Sequence, residues 1–253
     1  MNKKRYFLQL SYKGTNFFGW QIQPDRPTIQ SELERVLTAL HKNEKTEIVG
    51  CGRTDTGVHA SKYYAHFDSH LVEDIEQWRY KMNTMLPQDI SIHEIIPVSS
   101  EAHARFDADA RTYHYFIHTE KDSFIHDISW YYKPDLDIEK MNNACLLLLD
   151  HEDFECFSKV KTEVNHFRCD IKQALWVRSD KGLIFSITAN RFLRNMVRAI
   201  VGTMLEIGLN KMNEDEFKKV LMSGDRSQAG QSVPARGLFL ADIAYPYISK
   251  TQG

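Results

Sequence analysis

Two spacings of apolar residues take turns along the chain. Residues 5–12 alternate with a period of two, which predicts a strand. Residues 28–42 place Ile29, Leu33, Val36, Leu37 and Leu40 on one side of a 3.6-residue period. This predicts a helix with Thr28 as N-cap after Pro27. Residues 46–51 and 63–68 predict strands. Residues 72–86 predict a helix through Ile75, Trp78, Met82 and Met85 that ends at Pro87, and residues 90–98 a further strand. The order is β-α-β-β-α-β.

The second half repeats it. Residues 111–119 predict a strand rich in aromatic and β-branched side chains, and 137–149 a helix through Ile138, Met141, Cys145, Leu148 and Leu149. Strands near 168–179 and 183–189, helices over 191–208 and 213–222, and a strand over 237–244 complete it. Each half reads as a split β-α-β unit. The expected fold class is therefore α+β, with duplicated split β-α-β lobes of the kind found in RNA-recognition modules. These would form a central, mostly antiparallel sheet flanked by helices, with an active-site cleft between the lobes. The boundary falls near residues 99–108, giving an N-terminal lobe of residues 1–104 and a C-terminal lobe of residues 105–253.

Composition narrows the class. The chain has 253 residues, 42% hydrophobic and 26% charged, which excludes a disordered chain, a collagen-like repeat and a bare coiled coil. Its length supports a core without disulfides. The net charge of −2 and pI of 6.6 exclude a wholly basic coat. The charge is unevenly spread: residues 159–200 carry nine Lys/Arg against three Asp/Glu, and residues 100–158 carry five against thirteen. A protein that touches a polyanion on one face has this asymmetry, as do many solvated surfaces. Cys51, Cys145, Cys156 and Cys169 have no CxxC spacing, which argues against a zinc knuckle and for reduced thiols. The N-terminus lacks a signal-peptide pattern. The longest apolar stretch, residues 144–149, is far too short to span a bilayer. A soluble cytoplasmic protein is expected.

The most unusual stretch runs Gly50-Cys51-Gly52-Arg53-Thr54-Asp55-Thr56-Gly57-Val58-His59-Ala60. Three glycines surround an Arg-x-Asp pair between two predicted strands. An Asp beside an Arg stays ionised, as a carboxylate nucleophile or base must. A tight hairpin with a surface ion pair has the same pattern. Asp55-Thr56-Gly57 also matches the aspartic-protease triplet, but those enzymes use two such Asp residues and this chain has one. On the predicted 191–208 helix, Arg191, Arg194 and Arg198 would share one face at i, i+3 and i+7, suiting either phosphate contacts or a solvated surface. On the predicted 111–119 strand, Tyr113 and Tyr115 point to one face and His114 and Phe116 to the other. An aromatic there can stack on a nucleobase or pack a core. His59, His66 and His70 have no fourth ligand at convincing spacing and read as structural, with no metal expected.

These blocks resemble the TruA family of tRNA pseudouridine synthases. Gly52 to Ala60 resembles its GRTDxGVHA motif, and Tyr12-Lys13-Gly14 through Gly19-Trp20-Gln21 its N-terminal segment. His103-Ala104-Arg105-Phe106 with Arg111-Thr112-Tyr113, then Asn190 through Arg198, then Ala235 through Leu240, follow in family order. The chain departs beside the motifs, with Ser61-Lys62-Tyr63 where many members have Gly-Gln-Val. The resemblance implies a two-lobed, usually homodimeric enzyme that needs no cofactor and isomerises uridine to pseudouridine at positions 38, 39 and 40 of the tRNA anticodon stem-loop. It implies Asp55 as the catalytic carboxylate. It implies Arg53 as a residue that holds the Asp or fills the space of the displaced base, Tyr113 as the ring-stacking tyrosine, Arg198 as the late-helix arginine and Leu238 as a pocket wall. Arg191 and Arg194 join the substrate-binding set.

Overall fold

A computed structural model of the protein describes residues 3–159 and 165–248. Lys161 and Glu163, part of the charge asymmetry, lie outside the described residues. The chain divides into two units, residues 1–109 with 239–253 and residues 110–238.

In unit 1 the alternating N-terminal segment forms β1 (Lys4–Tyr12), antiparallel to both β3 (His59–Ser69) and β4 (Ile90–Val98). The two-residue β2 (Val49–Gly50) adds to β3 in antiparallel fashion, and β9 (Leu238–Ala244) pairs with β3 in parallel through His59↔Phe239 and Ala60↔Leu240. Helix α1 (Ile29–Leu40) begins where expected: Thr28 accepts from the Ser31 N–H while the Ser31 side chain accepts from Thr28, a reciprocal cap. It buries Ile29, Leu33, Val36 and Leu37, and α2 (Ile75–Met85), capped by Asp74, buries Trp78 and Met82. Each such side chain contributes about 1.5–3 kcal/mol by leaving water.

In unit 2, β5 (Ala110–His118) pairs antiparallel with β8 (Gly182–Ala189), and β8 with β7 (Ile171–Ser179). Helix α3 (Ile138–Leu149) is stitched to β7 by Asn142, which donates to the Trp176 carbonyl at 3.0 Å and accepts from the Trp176 N–H at 2.8 Å. Helix α4 (Met196–Gly208) is buried along most of its length, and α5 (Glu214–Ser223) carries the Asn213–Glu216 capping box. The strand order is β1-β3-β2 in unit 1 and β5-β8-β7 in unit 2. The fold is α+β, its strands mostly antiparallel and its split β-α-β pattern duplicated as the spacing predicts.

Three boundaries differ from expectation. The second strand shrinks to two residues because helix side chains capture its backbone donors: Thr46 N–H bonds the Thr38 hydroxyl and Ile48 N–H the Glu34 carboxylate. A short β6 (Trp130–Tyr131), parallel to β5, is too brief to show a period. The helix expected over 191–208 starts only at Met196, because Asn195 adopts a left-handed conformation with φ of 66°. A left-handed residue cannot continue a right-handed helix.

Candidate active site

The glycine loop joins β2 to β3. The Asp55 carbonyl accepts from the Val58 N–H at 3.1 Å, closing a turn over residues 55–58. Gly57 has φ of 77° and Thr56 does not have positive φ, which is the type II pattern that favours glycine third. Asp55 opens that turn, half-buried between buried Thr54 and exposed Thr56.

A distant segment clamps this loop. The Tyr12 hydroxyl hydrogen-bonds the Thr54 hydroxyl at 2.8 Å, and the Trp20 N–H donates to the Thr54 carbonyl at 3.1 Å. Gly19 has φ of 87°, and a Cβ there would stand 2.5 Å from the Thr54 oxygen; one on Gly14 would stand 2.0 Å from the Val58 oxygen. No side chain fits at either position. The carbonyls of Gly19 and Trp20 in turn accept from Ile29 and Gln30, two of the first-turn donors of α1. The loop thus hangs on the helix N-terminus through a single peptide segment. Beneath it Trp20 stacks on Tyr63 at 4.2 Å, and burial raises the Tyr63 phenol above its ordinary range.

His59 is fully buried. Its Nδ1 accepts from the Gly14 N–H at 3.0 Å, which puts its proton on Nε2, and its ring stacks on Phe239 at 4.5 Å. It is a structural histidine, as read from the sequence. Arg53 is exposed, and its Nε donates to Gln21 Oε1 at 3.1 Å. A half-buried carboxylate on a backbone held from both sides is equipped to act as a positioned nucleophile or base.

In unit 2, Tyr113 on β5 is half-buried and meets Phe192 edge-on at 5.1 Å. Arg111 donates to the Asn190 carbonyl at 2.7 Å. The three arginines do not share a helix face. Arg191 and Arg194 lie on the non-helical approach to α4, and Arg198 alone sits in its first turn. Phe192 and Leu193 continue an apolar spacing through a segment that is not helical, and this misleads the periodicity. Arg191 places its guanidinium 3.3 Å and 3.4 Å from the two ring nitrogens of His166. Arg194 is exposed, and its carbonyl accepts from Lys159. Arg198 is half-buried; its Nε donates to the Val233 carbonyl at 2.6 Å while its own carbonyl accepts from the Val233 N–H at 3.2 Å. Leu238 is buried where the 3-10 turn of residues 235–237 opens into β9.

A family described as tRNA pseudouridine synthase matches residues 10–107 and 144–246. The chain belongs to this family. It is accordingly an enzyme of the pseudouridine synthase class, an isomerase. It is 48% identical over 244 residues to a tRNA pseudouridine synthase A of Parabacteroides distasonis, covering 96% of each chain. It is 46% identical to that of Bacteroides fragilis, covering 97% of this chain and 98% of the relative. The Bacillus subtilis protein of the same name is 39% identical, with 93% and 97% covered. Among the site residues predicted from sequence, Tyr113 lies outside the matched segments and the others lie inside them.

Among the described residues, no group of three or more His, Cys, Asp or Glu could hold a metal ion, and no helix is long and apolar enough to cross a membrane. The four cysteines are buried and unbridged, and burial pushes Cys145 and Cys156 up to about 12. Apolar periodicity does not mark the clamp: Tyr12, Gly14, Gly19, Trp20 and Gln21 stand out in the sequence only through the family resemblance. Two glycines five residues apart, just ahead of Trp-Gln, are its local signal, because glycine permits close backbone approach.

Proposed function

We propose that this enzyme isomerises uridine to pseudouridine in tRNA, at positions 38, 39 and 40 of the anticodon stem-loop, with Asp55 as the catalytic carboxylate. The observation that carries the reading is the clamped Asp55 turn within a chain of this family. The reaction breaks the N1–C1′ bond, turns the uracil and joins C5 to C1′. The proton leaves C5 and one is gained at N1, so product and substrate are isomers. The target lies in a stem-loop, so the base must leave its stack before reaction. Asp55 can attack C1′, attack C6, or take the 2′ proton, and each route needs a carboxylate fixed in place. Tyr113 would stack on the uracil and Leu238 wall its pocket, while Arg53, Arg191, Arg194 and Arg198 contact the RNA. The working form is a cytoplasmic homodimer.

The test is chemical mapping of pseudouridine in unmodified tRNA transcripts incubated with wild type and Asp55→Ala. The expected outcome is signal in the anticodon arm with wild type and none with the variant, at unchanged tRNA affinity. Signal from a clean Asp55→Ala preparation would overturn the role of Asp55, and signal confined to another arm would overturn the site.

A further inference from the structure

The motif arginine is the end of a directed chain of hydrogen bonds. Arg53 Nε donates to Gln21 Oε1 at 3.1 Å, and Gln21 Nε2 donates to Gln30 Oε1 at 3.1 Å. Gln30 Nε2 donates to Glu34 Oε1 at 2.9 Å, and that same oxygen accepts from the Ile48 N–H at 3.2 Å. Gln30 Oε1 also accepts from the Ile22 N–H at 3.3 Å. A guanidinium can only donate and an ionised carboxylate can only accept, so the two ends fix the orientation of both amides between them. Every bond in the chain points from the cation toward the anion. The two amides that carry it sit on well-held backbone. Gln30 stands in the first turn of α1, and Gln21 follows Trp20, whose N–H and carbonyl are bonded to Thr54 and Gln30.

We infer that Gln21 is a positioning residue for Arg53, holding the exposed guanidinium in one orientation at the edge of the Asp55 loop, with Gln30 and Glu34 as its anchor. The inference rests on the proposed reading that Arg53 meets the RNA. Left alone, an exposed arginine samples many rotamers, and a ligand must then bear the entropy of ordering it. Gln21 removes part of that cost in advance. Its effect therefore runs through Arg53 alone.

The experiment is a double-mutant cycle of Gln21→Met and Arg53→Ala, read as affinity for an unmodified tRNA transcript and as single-turnover rate of pseudouridine formation. Gln21 is exposed, so unfolding midpoints serve to confirm that each variant folds. Gln21→Met should weaken the affected quantity by about threefold to tenfold, as loss of one hydrogen bond to a charged group at a wet site does. Adding it to Arg53→Ala should cost nothing more. Gln21→Glu, which keeps an acceptor for Arg53 but loses the donor to Gln30, should recover at least half of the loss. Losses that multiply in the double variant, or a Gln21→Met enzyme equal to wild type, overturn the inference while leaving the proposed function standing. A wild type that forms no pseudouridine in tRNA overturns both.

Discussion

The Asp55 loop of unit 1 and the arginine segment of unit 2 carry their charged groups at different reach from a tied backbone. Around Asp55 the main chain is fixed to main chain: Trp20 to Thr54, Gly57 to Phe17, and two glycine positions against carbonyl oxygens. Around Arg191, Arg194 and Arg198 the main chain is also tied, by the Lys159 N–H to the Arg194 carbonyl and the Val233 N–H to the Arg198 carbonyl, and left-handed Asn195 donates its amide to Ser232 Oγ at 2.7 Å, but the guanidinium groups extend from this backbone on long side chains. On the proposed reading, the difference follows the chemistry. A carboxylate that must meet one atom of a substrate needs placement to a fraction of an ångström. A phosphate contact tolerates a longer, adjustable reach.

The largest effects should come from filling the close approaches. Gly19→Ala adds a Cβ 2.5 Å from the Thr54 oxygen, at φ of 87°. Gly202→Ala in α4 adds one 1.8 Å from the Gln231 oxygen. Each should destabilise its unit by about 2–3 kcal/mol in urea unfolding. Among molecules that remain folded, Gly19→Ala should lower kcat by about 100-fold and Gly202→Ala by less than about 10-fold. Equal losses of kcat would erase the distinction between the two regions.

Acid should weaken both units. Burial, with help from the charges of Arg5 and His103, lowers His66 to about 4, and its Nδ1 accepts from the Ala104 N–H at 3.1 Å. The native state thus binds fewer protons here than the unfolded state. The stability from neutral His66 is fully present above about pH 6.5 and is lost as the pH falls toward 4, a change of order 2 kcal/mol. His114 and His118 of unit 2 shift in the same direction. Urea titrations at stepped pH should therefore show a slope between pH 6.5 and 4 that His66→Gln flattens in part.

The smallest expected effect probes the pin in unit 2. Asn195→Gly keeps the left-handed turn but loses the bond to Ser232, and should cost about 0.5–1 kcal/mol. Asn195→Ala loses both and should cost about 1–2 kcal/mol in all. Measured tRNA affinity should follow the same order, because the turn directs Arg191 and Arg194.

The same two regions mark how far the chain could be read by eye. The helix spanning residues 29–40 is legible through Thr28 and five apolar positions, and the strand over residues 90–98 through alternation after Pro87. The Asp55 turn was legible because glycine, arginine and aspartate crowd into a few residues. The clamp was not, because its partners stand 32 to 45 residues apart in the chain, as in Gln21–Arg53 and Gly14–His59. The start of α4 is hidden in the sequence because Phe192 and Leu193 keep helical spacing, while the φ that forbids a helix belongs to Asn195, a residue type that adopts either hand.

The parallel pairing of β9 with β3 bears on how the enzyme is made. Unit 1 needs Phe239, which lies on the ring of His59, yet residues 110–238 are translated in between. At about 5–20 residues per second, roughly 9–37 s pass between emergence of the Asp55 turn and arrival of the strand that completes its sheet. A nascent chain cut short in that interval carries the Asp55 turn on an unfinished fold. Products that end before this strand should therefore be inert and readily degraded.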